Sequence, residues 1–357
     1  MAKSLTRQTA SGWLFAAPAF LLIIVFMILP FFMAINYSLT NQRLMSPNPA
    51  QYVGFDNWER LFGMSILTLD AKRNAAGDII LIDGEPEFPK LRSYTRDKKA
   101  FPEYFRKREL FHIDFSKGSR TYILAKDVVF LKAIKNTLLF VILVAPIQAG
   151  LGLLLALLIN QKVRGINVFR TIYFMPVVIS IVVVSMLWRF IYDGHDGLLN
   201  TLLTYVTFGA FDPIDWLGNS STALPSIMAM SIWQGVGFHM IIWLSGLQTI
   251  PETFYEASRI EGSSRWQTFR FVTWPGLKNT AILVMIVITM QAFTLYPQIA
   301  VMTNGGPLDS TQSIVFQMVV KAYGKQDIAG GSTIAVFLFL LVFSISLLQR
   351  WLTREQQ

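Results

Sequence analysis

Residues 249–279 read TIPETFYEASRIEGSSRWQTFRFVTWPGLKN, a pattern that predicts two short helices joined at a glycine. Thr249 and Glu252 have the spacing of a capping box, with Pro251 inside the first turn, where a missing N–H costs nothing. Ser264 and Gln267 repeat that spacing, so a second helix begins after Gly262. Glycine suits the end of the first helix because it takes a positive φ without a Cβ clash. Phe254, Ala257 and Ile260 recur at helical spacing on the first helix, and Trp266, Phe269 and Val272 continue the apolar pattern on the second. The expected result is a helix-turn-helix at a membrane surface, stiff enough to pass rigid-body movement to the segments it joins.

Those segments are apolar. Hydrophobic residues fill 53% of the 357 positions and charged residues only 15%, against about 25% charged in soluble domains. A helix crossing the bilayer needs about 20 mostly apolar residues. Six runs qualify: Trp13 to Tyr37, Thr137 to Ile159, Thr171 to Tyr192, Ala223 to Leu247, Ala281 to Val301 and Thr333 to Leu352. The first follows Lys3 and Arg7 but exceeds the roughly 7 to 15 residues of a signal core. With Pro18 and Pro30 inside it, a retained, kinked anchor is expected. The 249–279 hairpin therefore lies between the fourth and fifth spans.

Charge sets the orientation. Lys and Arg number eleven over the N-terminus, residues 161–170, residues 252–278 and the C-terminal tail. Asp193 to Thr222 has none, and Met302 to Ser332 has only Lys321 and Lys325. The excess of cations on cytoplasmic loops predicts both termini inside a bacterial inner membrane, crossed several times. The net charge of +9 is spread along the chain, so it does not point to nucleic acid. With no cysteine and only His112, His195 and His239, neither a disulfide framework nor a Cys-rich metal site is expected.

This topology divides the chain into residues 1–37, the N-terminus and first span; 38–135, an external loop; and 136–354, a five-helix core containing 249–279. The external loop carries 17 Lys and Arg against 12 Asp and Glu, which the rule permits because long loops translocate largely regardless of charge. Its middle, Met64 to Asp127, reads as a small folded insert. Asp78 to Ile82 and Tyr122 to Leu124 are strand candidates, and Asp83-Gly84 signals a hairpin turn. Prolines 86, 89 and 102 and the charged stretch Arg92 to Glu109 predict loops and one short helix. No internal repeat is visible.

Glu256-Ala257-Ser258, three residues, Gly262, nine residues, then Val272, one residue and Trp274-Pro275 resembles the signature loop of ABC importer permeases. There the order is Glu-Ala-Ala, three residues, Gly, nine residues, Ile, one residue, Leu-Pro. Ser258, Val272 and Trp274 depart from it without disturbing the spacing. Thr303 to Pro307, reading TNGGP, followed by Ser310-Thr311, resembles the external turn of maltose-type carbohydrate permeases. The resemblance covers residues 51–58 and 131–354, and in that family an extra external domain also follows a corresponding first span. It implies an all-α polytopic membrane protein with six transmembrane helices of ABC importer permease (MetI-like) architecture and a small mixed external insert. It also implies that Glu256, Ala257, Ser258, Gly262 and Pro275 form a coupling helix that docks on a cytoplasmic ATPase.

No phosphate-binding loop occurs, since Gly324-Lys325 lacks both the upstream glycine and the following Ser or Thr. The resemblance accordingly implies a sugar permease that is not itself an enzyme. It holds no cofactor and works with an ATPase dimer binding ATP and Mg, a paralogous permease subunit and an external solute-binding protein, all in contact with membrane lipid.

Polar groups within spans are pathway candidates, because burying them in lipid is costly. Ser231, Gln234 and Phe238 share one face of the fourth span beside Gly235. On the fifth, Gln291 and Thr294 share a face, with Tyr296 near. Ser180 and Ser185 are candidates on the third. Amides, hydroxyls and aromatic faces together suit a sugar, while residue identities differ from the maltose-specific pattern. Helix–helix hydrogen bonding is the alternative role for each. His239 lies off the polar face and reads as a packed histidine. Other solutes fit the same architecture, such as a glycerol phosphodiester; a proton-coupled carrier or a lipid-linked glycan enzyme is a further alternative. The spans hold no carboxylate for proton coupling, Asp193 and Asp196 lying at a helix end.

Overall fold

The computed structural model describes residue 13 and residues 15–115, 118–161 and 164–354; Lys3, Arg7 and Lys162 lie outside the described residues. The chain divides into two compact units, Met1–Val128 with Met318–Leu340, and Val129–Gln317 with Leu341–Gln357.

The first unit begins with helix α1, Phe15–Ser38, whose most apolar window has no side chain buried within the chain. Its turn Ile24–Ile28 is π-helical. That widened turn sits just before Pro30, which has no N–H for the ordinary i→i−4 bond. Phe31 packs against Phe339, ring centroids 4.4 Å apart. Helix α2 is Asp56–Phe62, and Phe62 packs on Phe337.

The insert follows. Strand β1, Met64–Asp70, pairs antiparallel with β5, Ser119–Ala125, which pairs with β4, Arg108–Phe115. Leu67, Leu69, Tyr122 and Leu124 face Phe88, Leu91, Tyr94 and Tyr104 to make a small core, covered by helix α3, Leu91–Arg96. Arg120 pairs with Asp114 and lies over the ring of Phe88; its hydrogen bond holds the Asp114 carboxyl below the usual carboxylate range. The strand expected at Asp78 to Ile82 shrinks to β2, Leu81–Ile82, opposite β3, Glu85–Pro86. Asp83 and Gly84 both take positive φ, as an Asp-Gly hairpin turn requires. Strands β1 and β4 were not anticipated, because each is apolar on both faces or rich in charge and so shows no clean alternation.

In the second unit, α4, Val128–Ile159, starts before the expected Thr137. Its Ala145, Ala149 and Ala156 pack on Met240, Trp243 and Leu244 of α8, Ala223–Gln248, and on Val284 and Ile288 of α11, Lys278–Phe293. Small side chains let these backbones approach closely.

Two expected spans are corrected. Thr171 to Tyr192 is not one helix: α5, Ile166–Val178, and α6, Ile181–Ile191, meet at 98°. Pro176 removes a hydrogen bond near the break, and Ile179 is extended. Helix α7, Leu198–Val206, follows. Likewise Ala281 to Val301 is broken after Phe293, because Pro297 bars helix at the residue before it; a separate helix α12, Pro297–Met302, takes over. Among the described residues, four helices are long and apolar enough to cross the membrane, or up to six if the bent pairs Ile166–Val178 with Ile181–Ile191 and Arg265–Gly276 with Lys278–Phe293 each count as one span. Helix α13 is Ile314–Gly324, and α14, Ile328–Arg354, carries the last span.

Candidate functional site

The hairpin comprises α9, Glu252–Ile260, and α10, Arg265–Gly276, which meets α11 at 66°. Gly262 has φ +73°, and a Cβ there would meet nothing within 4 Å, so backbone conformation alone demands glycine. Ser264 and Gln267 make both bonds of the expected capping box. Thr249 does not make the first one. It caps the end of α8 instead, its hydroxyl donating to the Gly246 carbonyl at 2.8 Å, and Pro251 is the N-cap of α9 without a side-chain bond.

Ser258, where the resembling family has alanine, is buried, and its hydroxyl lies 2.8 Å from that of Thr268. Tyr255 and Thr273 approach at 3.3 Å, so the two helices are tied at two points. Pro275 lies in the last turn of α10. The exposed surface mixes apolar with charged side chains: Phe254, Ala257 and Ile260 are exposed, Ile260 at 86%, with Trp266 at 70%, among exposed Glu252, Arg259 and Glu261. Glu256 is exposed beside them. The two helices are thus bound to each other by polar contacts while isoleucine and tryptophan face outward.

The second place of interest lies among α4, α5, α6, α8, α11 and α12. A cavity of about 410 Å³ is lined by Gln234 and Phe238 of α8, Gln291 of α11, Thr294, Pro297 and Gln298. Val177 and Ile181, on either side of the α5/α6 break, complete it. Both helix breaks therefore border the same cavity. Irregular backbone at membrane depth is tolerated only inside protein or beside water, which accounts for their position.

A smaller cavity, about 90 Å³, shares Gln234, Gln291 and Gln298 and adds Ser231 and Gln148. The Gln148 amide reaches over Gly235, where a Cβ would meet its nitrogen at 1.9 Å, and comes 3.5 Å from the Ser231 carbonyl. Ser231 Oγ and Gln298 Oε1 are buried without a partner.

Of the expected pathway residues, Ser231, Gln234, Phe238, Gln291 and Thr294 come together here. Ser180 and Tyr296 line neither cavity: Ser180 stands at the N-cap position of α6 without a side-chain bond, and the Tyr296 ring lies 6.1 Å from that of Phe316. Ser185 donates within its own helix to the Ile181 carbonyl. Thr294 donates to the Gln291 carbonyl and ends α11. His239 is buried against α4 at Gly152, its Nδ1 2.8 Å from the Gly235 carbonyl. Gln148 and Gln298 were missed; Gln298 directly follows Pro297, the residue that starts α12, and Gln148 lies inside the continuous helix α4. Asp193 accepts the N–H groups of Asp196 and His195, bonds that hold its carboxyl below the usual range.

The turn at residues 303–311 is pinned to α4. Asn136 donates to the Ser310 and Gln312 carbonyls, and Thr303 and Thr311 hydroxyls meet at 2.7 Å.

Discontinuous helices whose breaks face one polar cavity are what a solute passage through a bilayer needs, and the fold is that of a membrane transport subunit. Residues 148–356 match the binding-protein-dependent transport system inner membrane components, and the chain belongs to that family. A probable ABC transporter permease of Brucella suis is 32% identical, covering 68% of this chain and 84% of its own. The xylose/arabinose import permease of Haloferax volcanii is 34% identical over 60% of this chain and 68% of its own. For the trehalose/maltose transport system permease of Thermococcus litoralis the identity is 31%, over 59% and 70%. A chain of a bacterial ABC transporter involved in alginate import shares the fold across 99% of both chains, with a TM-score of 0.68 at 18% identity.

Proposed function

We propose that this chain is a transmembrane subunit of an ATP-driven importer that carries a sugar into the cell, with both termini cytoplasmic. A paralogous permease completes the passage, an ATPase dimer binding ATP and Mg supplies energy, and an external binding protein delivers the solute. The observation that carries this reading is the meeting of Gln234, Gln291, Thr294 and Phe238 at the two helix breaks. Amides and hydroxyls exchange hydrogen bonds with sugar hydroxyls, and an aromatic ring covers a C–H face. The names of the relatives above, which are permeases for xylose and arabinose and for trehalose and maltose, support the substrate class.

In this account the 249–279 hairpin is the coupling element. Its exposed apolar edge seats on the ATPase, and the doubly tied helices pass the ATPase's movement to α8 and α11. Ser258 and Gly262 keep that shape, and Glu256, Ala257 and Pro275 belong to the exposed surface that couples to the ATPase.

Replacing Gln234 or Gln291 by Leu tests the passage. Each is expected to reduce uptake by roughly 2- to 12-fold or to shift sugar preference, the range set by one lost hydrogen bond. Uptake of several sugars, normalised to assembled complex, reads it; unchanged rates and preference in both variants would remove these residues from the passage.

A further inference from the structure

Helix α7, Leu198–Val206, has the reverse of the polarity that water selects. Its inner side is polar. Buried Asn200 donates its amide to the carbonyls of Asp193, Gly194 and Ile214 and accepts from the Trp216 ring N–H at 2.8 Å. The Thr207 hydroxyl, on the same side, donates to the Leu203 carbonyl and accepts from the Phe211 N–H. The outer side is apolar and bare: Leu198, Leu202, Tyr205 and Val206 recur at i, i+4, i+7 and i+8, and all are exposed. Phe208, just beyond the helix, is 99% exposed and has a φ of +53°, a conformation uncommon for a bulky side chain.

The place of the helix says what covers that side. The bonds from Asn200 to Asp193 and Gly194 hold α7 at the end of α6. The Tyr192 hydroxyl donates to the Ser226 carbonyl in the first turn of α8, so the end of α6, the start of α8 and α7 lie together. The other end of α8, a candidate span, leads into the 249–279 hairpin. Helix α7 therefore lies where α8 leaves the bilayer on the face opposite the hairpin. Trp188, Tyr192 and Trp216 cluster there, with centroids 5.0 and 6.2 Å apart, as aromatic rings do at headgroup level. No charged residue occurs from Gly197 to Phe211. A face for a protein partner carries a polar rim, whereas a face without charge suits acyl chains.

We infer that α7 is an interfacial helix seated in the bilayer surface opposite the hairpin, with Leu198, Leu202, Tyr205 and Phe208 among the lipid chains. Its inner side fastens the end of α6 at that depth, and α6 begins at the break that borders the passage. The inference goes beyond the import reading: it rests on α8 being a span and not on which solute passes.

The native chain has no cysteine, so Leu202→Cys, Phe208→Cys and Ser220→Cys can each carry one nitrobenzoxadiazole label. The complete transporter, its partner chains freed of cysteine, is placed in phosphatidylcholine nanodiscs. Labels at 202 and 208 should emit at shorter wavelength than the label at exposed Ser220. They should also lose intensity in brominated lipid, most when bromine lies near the carbonyl end of the chain, as a seat roughly 5 to 10 Å deep requires. Water-like emission at both positions overturns the inference. So does a shifted emission that brominated lipid leaves unquenched, which assigns the face to a neighbouring subunit. A shift that appears only on adding the external binding protein overturns it in favour of that protein. None of these results alters the import reading, which saccharide uptake tests separately.

Discussion

At the scale of single residues, glycine 262 separates conformation from space. Its φ of +73° lies where L side chains are strained, yet nothing stands within 4 Å of an added Cβ. A β-branched substituent therefore costs at least about 1 to 2 kcal/mol through the backbone alone. Gly262→Val is expected to leave insertion and abundance intact while uncoupling ATP hydrolysis from uptake. Gly262→Asn, which tolerates the left-handed region, should retain uptake. A normal uptake rate for the Val variant in membranes would refute the coupling role. Gly262 was legible because spacing and conformational preference coincide there. The partner of Ser258 was not, since Thr268 sits across a turn whose geometry no local pattern contains.

At the scale of elements, capping signals were reliable where side chains compete for one helix and failed where they compete for two. Ser264 and Gln267 cap α10 as expected, whereas Thr249 satisfies the carbonyl end of α8 and leaves α9 to begin at Pro251. Loss of the intact cap should be local: Ser264→Ala costs about 1 kcal/mol, so the Gln267 amide should exchange with deuterium roughly 5-fold faster. Unchanged exchange would mean that the box does not hold the helix start. Apolar length identified the spans but not their breaks. Pro176 and Pro297 were visible, yet only packing shows that both breaks open on Gln234 and Gln291. The edge strands of the insert escaped for a related reason: β1 carries Met64 and Ile66 on the face opposite Leu67 and Leu69, so apolarity does not alternate.

At the scale of the whole molecule, a native sequence without cysteine permits clean orientation tests. Ser310 is a poor labelling site because its hydroxyl is buried; Leu308, 83% exposed in the same turn, is the suitable one. A cysteine at Leu308 should react with an impermeant reagent from outside, and one at Glu261 only after the membrane is opened; reversed labelling would invert the topology. The central claim, ATP-driven sugar import through this subunit, is tested most directly by removing the chain alone and measuring uptake of labelled oligosaccharides in cells that keep the ATPase and binding protein. Uptake should fall to background and return with the wild-type chain, but not with Gly262→Val. Uptake of every sugar at the parental rate without the chain would contradict the account.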